Sequence, residues 1–336
     1  MTDFTGAPTL KMLVEQARSL EAIRIAVVRP EQGVVIETLR DAHGLGLVEP
    51  RLIGDPDAIA ALCEQFGWPL EADSVVPAQT DAAAARKAVD LARAGEVDAI
   101  MKGHIHTDAL MHALLDKERG LRVPGRRVSH AFVVEVPAYT KLLGITDAAI
   151  NIAPDLDAKA QILQNAVNLF QLLGVEMPRV AVLSAVETVN PAIQSTLDAA
   201  CLTLMAQRGQ ISGAMVDGPL AFDNAISATA AREKGISSGV AGEADIFLVP
   251  DLVSGNILAK NLEYLAGAVA AGLALGLAVP VVLTSRADPL PARLASLAIA
   301  VLMHHRAPAS RRVFESNESS FHCSPQPEHS CCPISP

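Results

Sequence analysis

Three segments of this chain gather cations, hydroxyls and amide donors where an apolar, strand-like run gives way to a loop. They are Met101-Lys102-Gly103-His104-Ile105-His106-Thr107, Pro250-Asp251-Leu252-Val253-Ser254-Gly255-Asn256 and Leu283-Thr284-Ser285-Arg286-Ala287-Asp288. In open α/β sheets such strand ends are the usual ligand position. Lys102 offers a point charge, and Arg286 a planar fork that spans two oxygens. The second segment leads into a helical pattern whose first amides can receive an anion. Singly each has a plain reading: Lys102 as a solvated strand end, Asn256 as a cap, Arg286 as half of a surface ion pair. Together they suit a substrate that carries phosphate.

Other patterns compete with that reading. His104 and His106 sit on one side of an extended segment, the spacing of a metal-dependent hydrolase. Such a site takes further imidazoles from later strands, and no histidine lies between His130 and His304. Gly235-Ile236-Ser237-Ser238-Gly239 matches the pattern of a hydrolase nucleophile, which needs a strand before the serine and a helix after it. Here the order is reversed. His322, Cys323, His329, Cys331 and Cys332 crowd the chain end without the spaced pairs of a zinc site.

The elements that must hold these residues alternate along the chain. Strand-like runs at Ile23–Val28, Val97–Met101, Val128–Val136, Ile145–Ile152, Val180–Ser184, Ile211–Val216, Ile246–Val249 and Val279–Thr284 are separated by helical patterns. These include Thr80–Ala94, Asp157–Leu173, Ile257–Ala271 and Pro291–His304. Asp55-Pro56 and Thr80 read as helix starts, and Gly95 and Gly174 as helix ends. This rhythm implies an α/β fold with a mainly parallel sheet. The length of 336 residues gives a prior of two domains. The uncharged stretch Tyr264–Ser285 is long enough to span a bilayer. Its Ala/Gly content and Pro280 instead predict a buried helix followed by a core strand, with Gly272-x-x-x-Gly276 serving close helix packing. From about Ala307 the apolar period is lost, and a disordered tail is expected over 307–336.

Composition narrows the partners. Lys plus Arg total 27 against 37 Asp plus Glu, a net charge of −10, and only 3% of residues are aromatic. Such a chain lacks the basic surface and stacking platforms of a nucleic-acid binder. Five cysteines without a spaced framework, and no signal-peptide pattern, point to a cytoplasmic location and no membrane partner.

The order of these motifs resembles the phosphate acetyl/butyryltransferases. Met101-Lys102-Gly103, Ser129-His130, Ile145-Thr146-Asp147-Ala148-Ala149-Ile150-Asn151 and Asp217-Gly218-Pro219-Leu220-Ala221-Phe222-Asp223 carry the resemblance. So do Val249-Pro250-Asp251, Gly255-Asn256, Lys260 and Thr284-Ser285-Arg286, and it extends over roughly residues 15 to 306. The resemblance implies transfer of a short acyl group, acetyl or butyryl, between coenzyme A and inorganic phosphate. It implies direct attack in a ternary complex, no metal and no permanently bound cofactor. It also implies two α/β domains around a cleft, of the isocitrate/isopropylmalate dehydrogenase type. The first would comprise residues 1–140 plus about 287–306. The second, 141–286, would carry a homodimer interface, which Ala/Gly-rich helices would help to pack.

Ser285 and Arg286 match the family's catalytic pair. The acetyltransferase branch has an acidic base several positions further on, where this chain has Pro291 and Ala292, so Asp288 is the nearest candidate. Lys102, Gly103, His104, Thr107, Asp217, Asp251, Gly255, Asn256 and Lys260 are the expected substrate-binding set, with Asp217 and Asp251 orienting loops.

Overall fold

The computed structural model describes residues 8–69, 71, 73–285 and 287–307. Its elements alternate as the apolar pattern requires. The first part contains α1 (Leu10–Arg18), β1 (Ile23–Val28), α2 (Gly33–Gly44), β2 (Val48–Gly54), α3 (Pro56–Gln65), β3 (Val75–Pro77), α4 (Asp81–Arg93), β4 (Ala99–Lys102) and α5 (Thr107–Leu114). Next come β5 (Ser129–Glu135), β6 (Leu142–Thr146), α6 (Leu156–Leu172), β7 (Arg179–Leu183), α7 (Gln194–Gln207), β8 (Met215–Leu220), α8 (Phe222–Ile226) and α9 (Ala228–Glu233). The chain closes with β9 (Ile246–Leu248), α10 (Leu252–Leu265), β10 (Val269–Leu275), β11 (Val281–Val282) and α11 (Leu290–Arg306).

Local chemistry explains many of the boundaries. The Asp55 side chain accepts from the amides of Asp57 and Ala58 ahead of Pro56, and Thr80 accepts from Ala83 at the start of α4. Gly95 and Gly174 follow their helices with positive φ, the left-handed region that favours glycine.

All the strands join one 11-stranded sheet in the order β3-β2-β1-β4-β11-β10-β5-β6-β9-β7-β8. Two parallel runs, β3-β2-β1-β4-β11 and β6-β9-β7-β8, lie at its flanks. Antiparallel pairings through β10 and β5 join them, so the two runs point in opposite directions. The mainly parallel α/β fold is as expected. Helices α1, α2 and α11 pack together over one flank.

The structure corrects the reading of the uncharged stretch. Ile257–Ala271 is not one helix: α10 ends at Leu265, and Val269–Leu275 is the strand β10. Paired on both edges, by β5 and β11, this strand is buried along nearly all its length. Its small residues serve close strand contact rather than helix packing. A Cβ at Gly272 would lie 2.5 Å from the Leu283 carbonyl oxygen. Two further strands are shifted: Leu142–Thr146 replaces the expected Ile145–Ile152, and Met215–Leu220 replaces Ile211–Val216. No helix of the described residues is long and apolar enough to cross a membrane. The expected tail, from residue 308 onward, lies outside the described residues.

Candidate functional site

The opposed parallel runs bring their strand ends toward the middle of the sheet, and a cavity of about 360 Å³ lies there. From β4 and the following turn come Lys102, Ile105, His106 and Thr107; from the end of β11 come Leu283, Thr284 and Ser285. The other run supplies Ala149, beyond β6, with Asn256 and Lys260 from α10, while β5 contributes His130 and Phe132. All three chemistry-bearing segments therefore meet in one place. A larger cavity of about 450 Å³ lies at the other ends of β4 and β11, among Arg93, Asn165 and His304, and none of the three segments reaches it.

Each wall is fixed by a hydrogen-bonded support. Arg293, on α11, is 1% exposed and donates from Nη2 to the Ser285 carbonyl at 2.7 Å and from Nη1 to Thr284 Oγ1 at 3.2 Å. Its Nε reaches the Asp288 carbonyl at 3.0 Å. The Asp288 carboxylate accepts the Ser285 amide at 2.7 Å, and burial raises its pKa above the usual carboxylate value. Asp288 lines a neighbouring cavity of about 150 Å³ rather than the main one. Arg286 lies outside the described residues.

On the opposite wall, Asp147 follows β6 and is 2% exposed. Its carboxylate accepts the amides of His130, Ala149 and Ile150, each at 2.9 Å, and the Asn151 side chain at 2.7 Å. One carboxylate thus fixes the turn that carries Ala149 and the backbone of His130. Gly255 lets α10 close onto this turn, since a Cβ there would lie 2.7 Å from Val249 and 2.9 Å from the Asp147 carbonyl. Asp251 caps α10, accepting from the Ser254 amide and hydroxyl. These contacts aim Asn256 and Lys260 at the cavity. Lys260 also pairs with Glu263 at 2.6 Å and stands 6.0 Å above the Phe132 ring. Lys102 is 6% exposed, a buried ammonium at the cavity wall.

Of the expected binding residues, Lys102, Thr107, Asn256 and Lys260 line the cavity, as does Ser285 from the catalytic set. Gly103 and His104 lie beside it with their amides bonded to the carbonyls of Val28 and Arg29. Gly255 and Asp251 act behind the wall. Asp217 is not brought in: it sits on the edge strand β8, where its carboxylate accepts the Gly218 amide. His130, Asp147 and Arg293 form part of the site's architecture without having been assigned a role from the sequence. The metal-hydrolase reading fails, because His104 and His106 have no third partner: among the described residues no group of three His, Cys, Asp or Glu could hold a metal ion.

Comparison with known proteins gives a consistent result. Residues 71–301 match the family model described as "Phosphate acetyl/butaryl transferase". The chain is 50% identical over 299 residues to a phosphate acetyltransferase of Rickettsia prowazekii, covering 88% of this chain and 85% of the relative. It is 40% identical over 291 residues to a phosphate butyryltransferase of Clostridium acetobutylicum, covering 87% and 96%. The crystal structure of a branched-chain phosphotransacylase from Enterococcus faecalis superposes with a TM-score of 0.72 at 32% identity, covering 84% of this chain and 99% of that one.

Proposed function

Since the chain belongs to the phosphate acetyl/butyryl transferase family, we propose that the cavity between the two strand runs holds an acyl phosphate and the thiol end of coenzyme A together. The enzyme is an acyltransferase that moves an acetyl or butyryl group reversibly between coenzyme A and inorganic phosphate. The observation that carries the reading is the convergence of Lys102, Lys260, Asn256, Thr284 and Ser285 on one cavity from opposite sides of the sheet.

The chemistry assigns work to these groups. In the thioester-forming direction the coenzyme A sulfur attacks the acyl carbon and the carbonyl oxygen takes up negative charge. The bond to the phosphate oxygen then breaks, phosphate leaves with the electron pair, and the thiol proton ends on it as hydrogenphosphate. A free thiol has a pKa near ~8.5, so cations near the sulfur favour the attacking thiolate. Lys102 and Lys260 hold phosphate oxygens, and Asn256 and Thr107 donate to the same group. Ser285 and Arg286 stabilise the charge that develops during transfer, where losing one such donor costs about 10²–10³ in rate. Asp288 holds Ser285 in place, and as the acidic residue nearest to Arg286 along the chain it is our candidate for the base. We read coenzyme A as a substrate, with no permanently bound cofactor.

We keep two lobes, 1–140 with about 287–306 and 141–286, as the proposed division of the chain, with β11 of the second lobe extending the parallel run of the first. The second copy in a homodimer covers α10, whose Val253, Ile257, Tyr264 and Leu265 are all more than half exposed. Val253, Ile257 and Tyr264 recur at helical spacing on a face that adjoins the cavity-facing Asn256 and Lys260, and Lys260 stands 6.0 Å from the centre of the Tyr264 ring. The described cysteines Cys63 and Cys201 are unpaired, which suits work in the cytoplasm.

A thiol-release assay with acetyl-CoA and with butyryl-CoA, each plus phosphate, tests the function. Phosphate-dependent release that survives a strong chelator is expected. Hydrolysis independent of phosphate, or loss of turnover with chelator, would overturn the reading.

A further inference from the structure

His130 occupies an unusual position for a histidine. It is 1% exposed, lines the cavity, and its Nδ1 is buried without a hydrogen-bond partner among the described residues. Leaving a buried polar atom unpaired is costly, and such an atom in a folded protein calls for an explanation. Its surroundings hold the residue firmly while leaving Nδ1 unpaired. The backbone N–H donates to Asp147 at 2.9 Å, and the backbone carbonyl accepts from Thr146 Oγ1 at 2.7 Å. The ring stands edge-on to Phe132, with centroids 4.4 Å apart. On the adjoining strand, a Cβ at Gly272 would come within 3.3 Å of Nε2, so the glycine leaves space for the imidazole. The protein thus orients an imidazole at the cavity and supplies no partner for Nδ1.

We propose that His130 is a further catalytic residue, a neutral imidazole whose ring N–H donates to the carbonyl oxygen of the transferring acyl group. The assignment rests on the acyl-transfer reading above. Two features favour the carbonyl over phosphate. The imidazole stands edge-on to Phe132, and Leu283 and Ile105 line the same cavity, apolar surface that suits a hydrocarbon chain. The phosphate has better partners in Lys102 and Lys260.

The charge state is consistent with this role. Burial lowers the His130 pKa to about 4; Asp147 opposes the shift and Lys260 reinforces it. Among the described residues, the charged groups at or behind the cavity wall include Lys102 on β4, Lys260 with its partner Glu263 on α10, Asp147 after β6, and Asp288 and Arg293 behind Ser285. The adjoining β10 faces the ring with uncharged Gly272 and Ala274. A ring neutral at physiological pH keeps one N–H to donate throughout the reaction. As a base it would be far too weak to take a proton from a thiol. The role is electrostatic: the N–H meets the oxygen on which charge appears when the sulfur–carbon bond forms, and releases it when the bond to phosphate breaks.

The test measures kcat and KM for His130→Phe, His130→Asn and His130→Gln beside the wild type, with folding checked by thermal melting. Phosphate-dependent turnover by the wild type establishes the underlying reaction independently; its absence would sink that reading rather than the histidine's role. We expect His130→Phe to lose about 10²–10³ in kcat, with KM for phosphate and coenzyme A within threefold of wild type. One of the two amide variants, each keeping an N–H near a ring-nitrogen position, should recover at least tenfold over Phe. A folded His130→Phe enzyme within threefold of wild-type kcat would overturn the proposal. So would a loss confined to KM, or Asn and Gln both as poor as Phe. If these variants fail to fold, ring titration of wild-type His130 by NMR decides instead. Protonation near pH 4 is expected, and an ordinary value near 6.5 would contradict the neutral donor.

Discussion

At the scale of single residues, His130 and Asp288 leave opposite marks on stability. The His130 pKa is about 4 in the folded chain against 6.5 when free, so its contribution is complete above pH 6.5 and is lost as pH falls toward 4. Between pH 6.5 and 5 that amounts to about 2 kcal/mol. Burial raises Asp288 above 3.8, so its contribution is present in acid and is lost as pH rises through the raised value. Urea unfolding of wild type and His130→Phe at pH 6.5 and 5 should show a steeper acid loss in the wild type; equal slopes would contradict the assignment. Arg293 makes a different prediction. Its guanidinium bonds Ser285, Thr284 and Asp288 and is almost wholly buried. Arg293→Met should lower kcat by about tenfold or more and destabilise the fold by about 3 kcal/mol, because several buried acceptors lose their donor. Arg286→Gln should lower kcat by about 10² or more while coenzyme A still binds, as expected for a donor that acts on developing charge. Near-wild-type kcat there would remove Arg286 from the mechanism.

At the scale of elements, what could be read from the sequence follows the strength of each local signal. Asp55-Pro56, Thr80 and Gly95 marked real helix boundaries because capping and left-handed turns depend on neighbouring residues alone. Lys102, Asn256 and Ser285 were legible as a site because each belongs to a segment at a strand end, and Lys260 was legible through the family resemblance. That both runs turn their ends toward one cavity is a property of the sheet order. Arg293 and Asp147 could not be read as supports, since their partners Ser285 and His130 are distant in sequence or concern only the backbone. The stretch Val269–Leu275 was misread because Ala and Gly show no apolar period, and its strand state is set by β5 and β11 on either side. Gly272→Ala tests that account. Its new methyl would press on the Leu283 carbonyl, so we expect a stability loss of about 1–3 kcal/mol together with reduced turnover. A neutral substitution would show that the strands have room to part.

At the scale of the whole molecule, two parallel runs of opposite direction join into one sheet, and the cavity lies where their ends meet. Helix α10 carries the cavity-lining Asn256 and Lys260 beside an exposed apolar stripe of Val253, Ile257 and Tyr264. On the proposed homodimer, the wild type should sediment as a dimer and an Ile257→Glu/Tyr264→Lys double variant as a monomer. A wild type that is monomeric at micromolar concentration would remove that interface. Direct transfer needs acyl phosphate and coenzyme A bound together. Exchange of labelled inorganic phosphate into acyl phosphate, measured with and without coenzyme A, is the decisive measurement. Direct transfer predicts exchange that requires coenzyme A and persists with chelator present. Comparable exchange in the absence of coenzyme A would mean that the enzyme itself carries the acyl group, and would contradict the account.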